Sequence, residues 1–95
     1  MFIISLTYKA QLEKVDEFLD AHVSFLNKQY DLGNFLASGR KIPRTGGIIL
    51  SKVSTKSELE KILEEDPFKI NNLADYEIIE FVPSKTCEEL KFLTE

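Results

Sequence analysis

Apolar residues crowd the start of the chain. Phe2 to Tyr8 (FIISLTY) is rich in β-branched and aromatic residues and predicts a strand. The period then changes. Leu12, Val15, Leu19, His22 and Leu26 recur at alternating spacings of three and four, with Phe18 and Phe25 flanking them. This pattern predicts one helix over 11–32. Glu13, Lys14, Asp16, Glu17 and Lys28 take its other side, and Gly33 supplies the stop, because glycine enters the left-handed region at little steric cost.

Residues 34–39 (NFLASG) predict a short second strand, and residues 48–53 (IILSKV) a third. Between them, Pro43 and the Gly46-Gly47 pair mark a connection. Thr55-Lys56-Ser57-Glu58 is a capping-box pattern. The helix it opens turns Leu59, Ile62 and Leu63 inward and is expected to stop by Asp66, since Pro67 disfavours helical geometry in the residue before it. Residues 75–82 (DYEIIEFV) predict the fourth strand, ended by Pro83, and residues 84–93 a short terminal helix carrying Cys87, Leu90 and Phe92 or Leu93.

The order is β-α-β-β-α-β. This is the ferredoxin-like α+β arrangement, an antiparallel sheet with two helices on one face. Ile48, Ile49 and Leu50 are consecutive, as are Ile78 and Ile79, and Phe2, Ile3 and Ile4. A sheet wetted on one face alternates apolar and polar residues, so these strands require cover on both faces. The helices cover one. A second copy of the chain is the simplest cover for the other, which predicts a homodimer or higher homo-oligomer.

Composition narrows the function classes. The 95 residues fit a single domain over 1–95, with a modest core. Twelve Lys and Arg against sixteen Asp and Glu give a net charge of −4, which argues against a nucleic-acid partner. One cysteine and one histidine exclude an internal disulfide, a zinc finger and an iron–sulfur site, so no metal is expected. No apolar run approaches the ~18–20 residues that cross a bilayer, and Met1 to Ile4 lacks a basic leader. A cytoplasmic protein with no membrane partner is expected.

His22 falls inside the apolar stripe. It reads either as a core histidine with one hydrogen bond or as a proton-transfer group. Asp66 reads either as turn chemistry before Pro67 or as a functional carboxylate. Arg40, Lys41 and Arg44 form a small basic cluster beside Ser38-Gly39, readable as a solvated loop or as a holder of an anionic group. Tyr8, at the end of the first strand, can line a pocket or close the core edge. Gly46-Gly47 is no phosphate loop, because no Lys-Ser/Thr follows and a strand comes next.

These features together resemble the YciI-like family of small proteins with a dimeric α+β barrel. The likeness rests on an N-terminal strand, on His22 and Leu26 in AHVSFL, and on Gly33 and Leu36 before Ser38-Gly39. It continues with Asp66-Pro67 in EEDPF and a last strand closing at Pro83. It spans residues 2–83. The resemblance implies an active-site pair, His22 and Asp66, in a cleft near the subunit interface. It also implies isomerase- or dehydrochlorinase-type chemistry on small cyclic or aromatic compounds, without metal or organic cofactor. Tyr8, Ser38, Gly39, Arg40 and Phe68 are the accompanying candidates for substrate binding. The chain departs from the family pattern at Leu19, where many members carry arginine, at Gly39-Arg40, where many carry Gly-Pro, and at Tyr8-Lys9, where members often carry Asp. The alternative is a noncatalytic dimeric module that binds a small ligand or a partner, with His22 and Asp66 structural.

Overall fold

The computed structural model describes residues 1–94. Four strands, β1 (Phe2–Tyr8), β2 (Phe35–Arg40), β3 (Gly46–Ser51) and β4 (Ala74–Glu80), form one sheet in the order β2-β3-β1-β4. Every neighbouring pair is antiparallel. Between β1 and β2 lie α1 (Leu12–Glu17) and α2 (Leu19–Asp31), and between β3 and β4 lie α3 (Lys56–Leu63) and α4 (Pro67–Ile70). This is the ferredoxin-like α+β arrangement.

Strand parity separates the two faces. Phe2, Ile4 and Leu6 of β1 are buried together with Val15, Phe25, Leu59, Leu63 and Phe68 from the four helices. Their register partners Ile49, Ile78 and Tyr76 share that helix-covered face. The opposite parity carries Ile3, Leu50 and Ile79, which lie side by side across β1, β3 and β4. Ile79 is 46% exposed. The expected second apolar face is therefore present.

The first helical segment is two helices, not one over 11–32. Phe18, at φ −107° and ψ 5°, ends α1 and opens α2, and its N–H donates to the Val15 carbonyl at 3.0 Å, three residues back. Such a tightened turn rotates the second helix relative to the first. The buried line is consequently Val15, His22, Phe25 and Gln29, while Leu12 and Leu19 stay 41% and 36% exposed. Gly33 takes φ +77° at the end of α2, as its position predicts.

Asp66 is a helix start rather than only a stop. The carboxylate Oδ1 accepts from the Phe68 N–H at 3.0 Å, and Pro67 opens α4. Proline suits the first helical position because its missing N–H is an orphan there anyway. The Thr55 cap forms as expected, its hydroxyl accepting from the Glu58 N–H at 3.1 Å. Strand limits move by one or two residues: β2 begins at Phe35, β3 at Gly46 and β4 at Ala74. The terminal helix is 3₁₀, over Glu88–Thr94, with no buried residue, and Cys87 precedes it, exposed. Among the described residues no helix is long and apolar enough to cross a membrane.

Candidate functional site

His22 sits about one turn into α2 with its side chain 11% exposed. Its Nδ1 lies 2.7 Å from Oδ1 of Asp66, which is wholly buried. A carboxylate only accepts, so Nδ1 carries the hydrogen and the neutral ring keeps its lone pair on Nε2. Among the described residues no buried side-chain nitrogen or oxygen lacks a partner. His22 also lines the adjoining cavity, and with Nδ1 held by Asp66 the nitrogen left for it is Nε2.

That cavity measures about 190 Å³ and opens between α2 and the end of the sheet where β1 stops. Tyr8, His22, Ser38, Gly39, Arg40 and Phe68 line it. Asp66 does not; it stands behind the imidazole. Phe68 stacks on His22, centroids 4.0 Å apart and planes within 5°, and meets the Tyr8 ring edge-on at 5.9 Å. With Leu19, Val23 and Leu26 across from them, these residues make an apolar slot with one imidazole nitrogen at its side.

A bulge aims β2 at this slot. Phe35 pairs with Ser51 and Ala37 with Leu50, leaving Leu36 as the extra residue. One inserted residue reverses the parity of everything after it. Ser38 and Arg40, opposite Ile49 and Gly47, thus face the helices, whereas an unbroken strand would turn them outward. Ser38 is tied to α2 by a 2.7 Å hydrogen bond between its hydroxyl and that of Tyr30. Arg40 takes part in no ion pair of the described residues.

The three-cation cluster does not converge. Lys41 Nζ donates to the Thr7 hydroxyl at 3.1 Å, and Arg44 pairs with Asp16 at 2.5 Å beside the face of Tyr8. Only Arg40 is left at the cavity. Among the described residues no group of three or more His, Cys, Asp or Glu side chains is arranged to hold a metal ion.

Tyr76 escaped the sequence reading. Its hydroxyl donates to Asp66 Oδ2 at 2.6 Å, so the carboxylate accepts from three donors on three elements. Burial, then the Asp66 charge, raises its phenol far above the ordinary value. The available signal was parity: Tyr76 lies between Ala74 and Ile78 on the inward side of β4, where a hydroxyl needs a partner.

A solved structure, 5-chloro-2-hydroxyhydroquinone dehydrochlorinase from Burkholderia phenoliruptrix AC1100 in complex with 2,5-dihydroxybenzoquinone, is similar in fold. The TM-score is 0.74 over 84% of this chain and 91% of that one, at 16% sequence identity. No protein of curated function matches the sequence. The model of the YCII-related domain matches residues 1–82. The chain, matched over most of its length, belongs to the YCII-related domain family.

Proposed function

We propose that the protein is an enzyme of lyase or isomerase type that acts, without a cofactor, on a small cyclic or aromatic compound. The observation that carries this is the His22 imidazole, oriented from behind by buried Asp66 and open through Nε2 to an apolar slot. Nε2 takes a proton from the ring substrate, and Asp66 stabilises the imidazolium without taking the proton itself. Arg40 holds the phenolate, enolate or carboxylate oxygen on which charge develops. The proton then returns at a second carbon, or a leaving group departs.

Size supports one ring. A cavity of about 150 Å³ accepts benzene, and this one is about 190 Å³. The fold neighbour is named for a chlorinated hydroxyhydroquinone and is in complex with 2,5-dihydroxybenzoquinone, which makes hydroxylated quinones and hydroquinones the first compounds to try. In this reading a second subunit covers the outer sheet face of Ile3, Leu50 and Ile79, as in a dimeric α+β barrel.

The test is a panel of such compounds, followed by ring absorbance, halide release and deuterium exchange, on wild-type protein and on folded His22→Ala. Turnover confined to the wild type is the expected result. Undiminished turnover in His22→Ala would sink the proposal, as would failure of every ring compound to bind.

A further inference from the structure

Asp66 is clamped from three sides, and the clamp is uneven. Oδ1 accepts from both His22 Nδ1 at 2.7 Å and the Phe68 N–H at 3.0 Å, while Oδ2 accepts from Tyr76 alone at 2.6 Å. The terminal torsion of an aspartate is broad and soft. With both inner contacts on one oxygen, twisting of the carboxylate plane is opposed mainly from the other. Tyr76 is the group placed there, on β4, anchored by its strand rather than by the helix that carries Asp66.

We infer that Tyr76 is a positioning residue for the His22–Asp66 pair: its hydroxyl locks the carboxylate so that Oδ1 stays aimed at Nδ1 and the free lone pair stays on Nε2. The inference rests on reading His22 as the proton-transfer group. The titratable and charged groups around the clamp are few. Tyr8 on β1 and Arg40 on β2 share the cavity with His22, and Lys69 on α4 lies 5.4 Å from the Tyr76 ring centroid. None of these takes part in a hydrogen bond to Asp66, so the hydroxyl has no substitute among the described residues. The raised phenol value keeps it a donor through the neutral and mildly alkaline range. By donating, Tyr76 also draws charge from Oδ2, which leaves the shared proton with the imidazole rather than the carboxylate.

The chain has one histidine, so ¹⁵N-labelled imidazole reports His22 alone. Recorded on the neutral ring, the wild type is expected to show protonated Nδ1 and bare Nε2. In Tyr76→Phe, which keeps the ring and loses only the hydroxyl, the tautomer ratio shifts toward Nε2–H by about tenfold, the weight of one hydrogen bond to a charged group. Exchange of the Nδ1 proton with solvent accelerates in step. A merely structural tyrosine would lower stability and leave both signals in place, and that outcome overturns the inference. Should Tyr76→Phe fail to fold, fluorotyrosine at position 76 keeps the hydroxyl as a stronger donor and must move the Nδ1 proton resonance; an unmoved resonance also overturns it. The readout needs no substrate, so failure of the ring-compound panel and failure of this inference are separate results.

Discussion

The ring of Phe68 lies flat on the imidazole of His22, 4.0 Å between centroids and 5° between planes. Phe68 is also the residue whose N–H caps onto Asp66. One short helix therefore delivers both the carboxylate that orients His22 from the edge and the ring that holds it from the face. Phe68→Leu keeps most of the volume and the backbone cap while removing the stack. It is expected to cost about 1–1.5 kcal/mol in urea unfolding, as near-isosteric core swaps do. If the stack sets the imidazole plane, turnover of any ring substrate falls about tenfold through kcat with KM little changed. Equal kcat in the folded variant would remove Phe68 from that role.

Asp66→Asn separates orientation from bulk. The amide can still cap α4, but it no longer requires Nδ1 to carry the hydrogen, because its own NH₂ donates. The expected outcome is a mixed or inverted His22 tautomer by ¹⁵N NMR and turnover lower by about 10²–10⁴-fold. Stability falls by about 1–3 kcal/mol, since a hydrogen-bonded charge inside the core is replaced by a weaker acceptor. A variant with wild-type tautomer and rate would reduce Asp66 to a helix cap.

Much of this geometry was legible in the sequence where it is local. FIISLTY forms a strand, Thr55 caps a helix, and Gly33 takes the left-handed turn because a few adjacent residues decide each of these. From the residue pattern alone His22 and Asp66 were legible as separate candidates, 44 positions apart; the family resemblance is what paired them, and the packing of α4 on α2 brings them to 2.7 Å. What stayed hidden depends on tertiary context. The turn at Phe18 leaves the three-and-four spacing intact while moving Leu12 and Leu19 out of the core. The Leu36 bulge cannot be read from NFLASG, yet it decides that Ser38 and Arg40 face the cavity. Asp66-Pro67 marks a stop because proline disfavours helical geometry in the residue before it, but the same proline suits the first position of a helix, so the step also opens α4.

Tyr76 gives the pH dependence its sign. Its phenol titrates far higher when folded than the ~10 of an unfolded chain. A raised value means that the native state binds this proton more tightly, so the contribution is complete below about pH 10 and is lost as pH climbs beyond it. Urea unfolding of the wild type should therefore weaken steeply above about pH 10. In Tyr76→Phe the alkaline limb flattens, while stability at neutral pH falls by about 1.5–3 kcal/mol, because Asp66 Oδ2 has lost its donor. Parallel alkaline limbs in the two proteins would contradict the assignment.

Two glycines near the cavity differ in kind. A Cβ on Gly46 would stand 1.7 Å from the Leu6 carbonyl oxygen, so β1 and β3 cannot keep their spacing around it. Gly46→Ala is expected to cost about 3 kcal/mol or more, since the obstacle is backbone rather than a movable side chain. A Cβ on Gly39 meets nothing within 4 Å, and Gly39→Ala should change stability by no more than about 0.5 kcal/mol. Thermal unfolding of the pair checks both at once.

The outer sheet face tests the assembly. Ile3 and Leu50 are register partners across β1 and β3, and Ile79 lies opposite Ile3 on β4, so three aliphatic side chains form one row on the face opposite the helix-covered core. Leu50 is only half-buried in the single chain, so lysine there can reach solvent, and the subunit fold should survive by circular dichroism. In a dimer joined through this face, the same lysine would be buried against an apolar surface without a partner. Removing charge from water in that way costs several kcal/mol, and even about 3 kcal/mol weakens association more than a hundredfold. Sedimentation at micromolar concentration should therefore show a dimer or larger assembly for the wild type and a folded monomer for Leu50→Lys. A wild-type monomer at that concentration rules out this face as a stable interface. A Leu50→Lys protein that still associates would place the contact elsewhere on the surface.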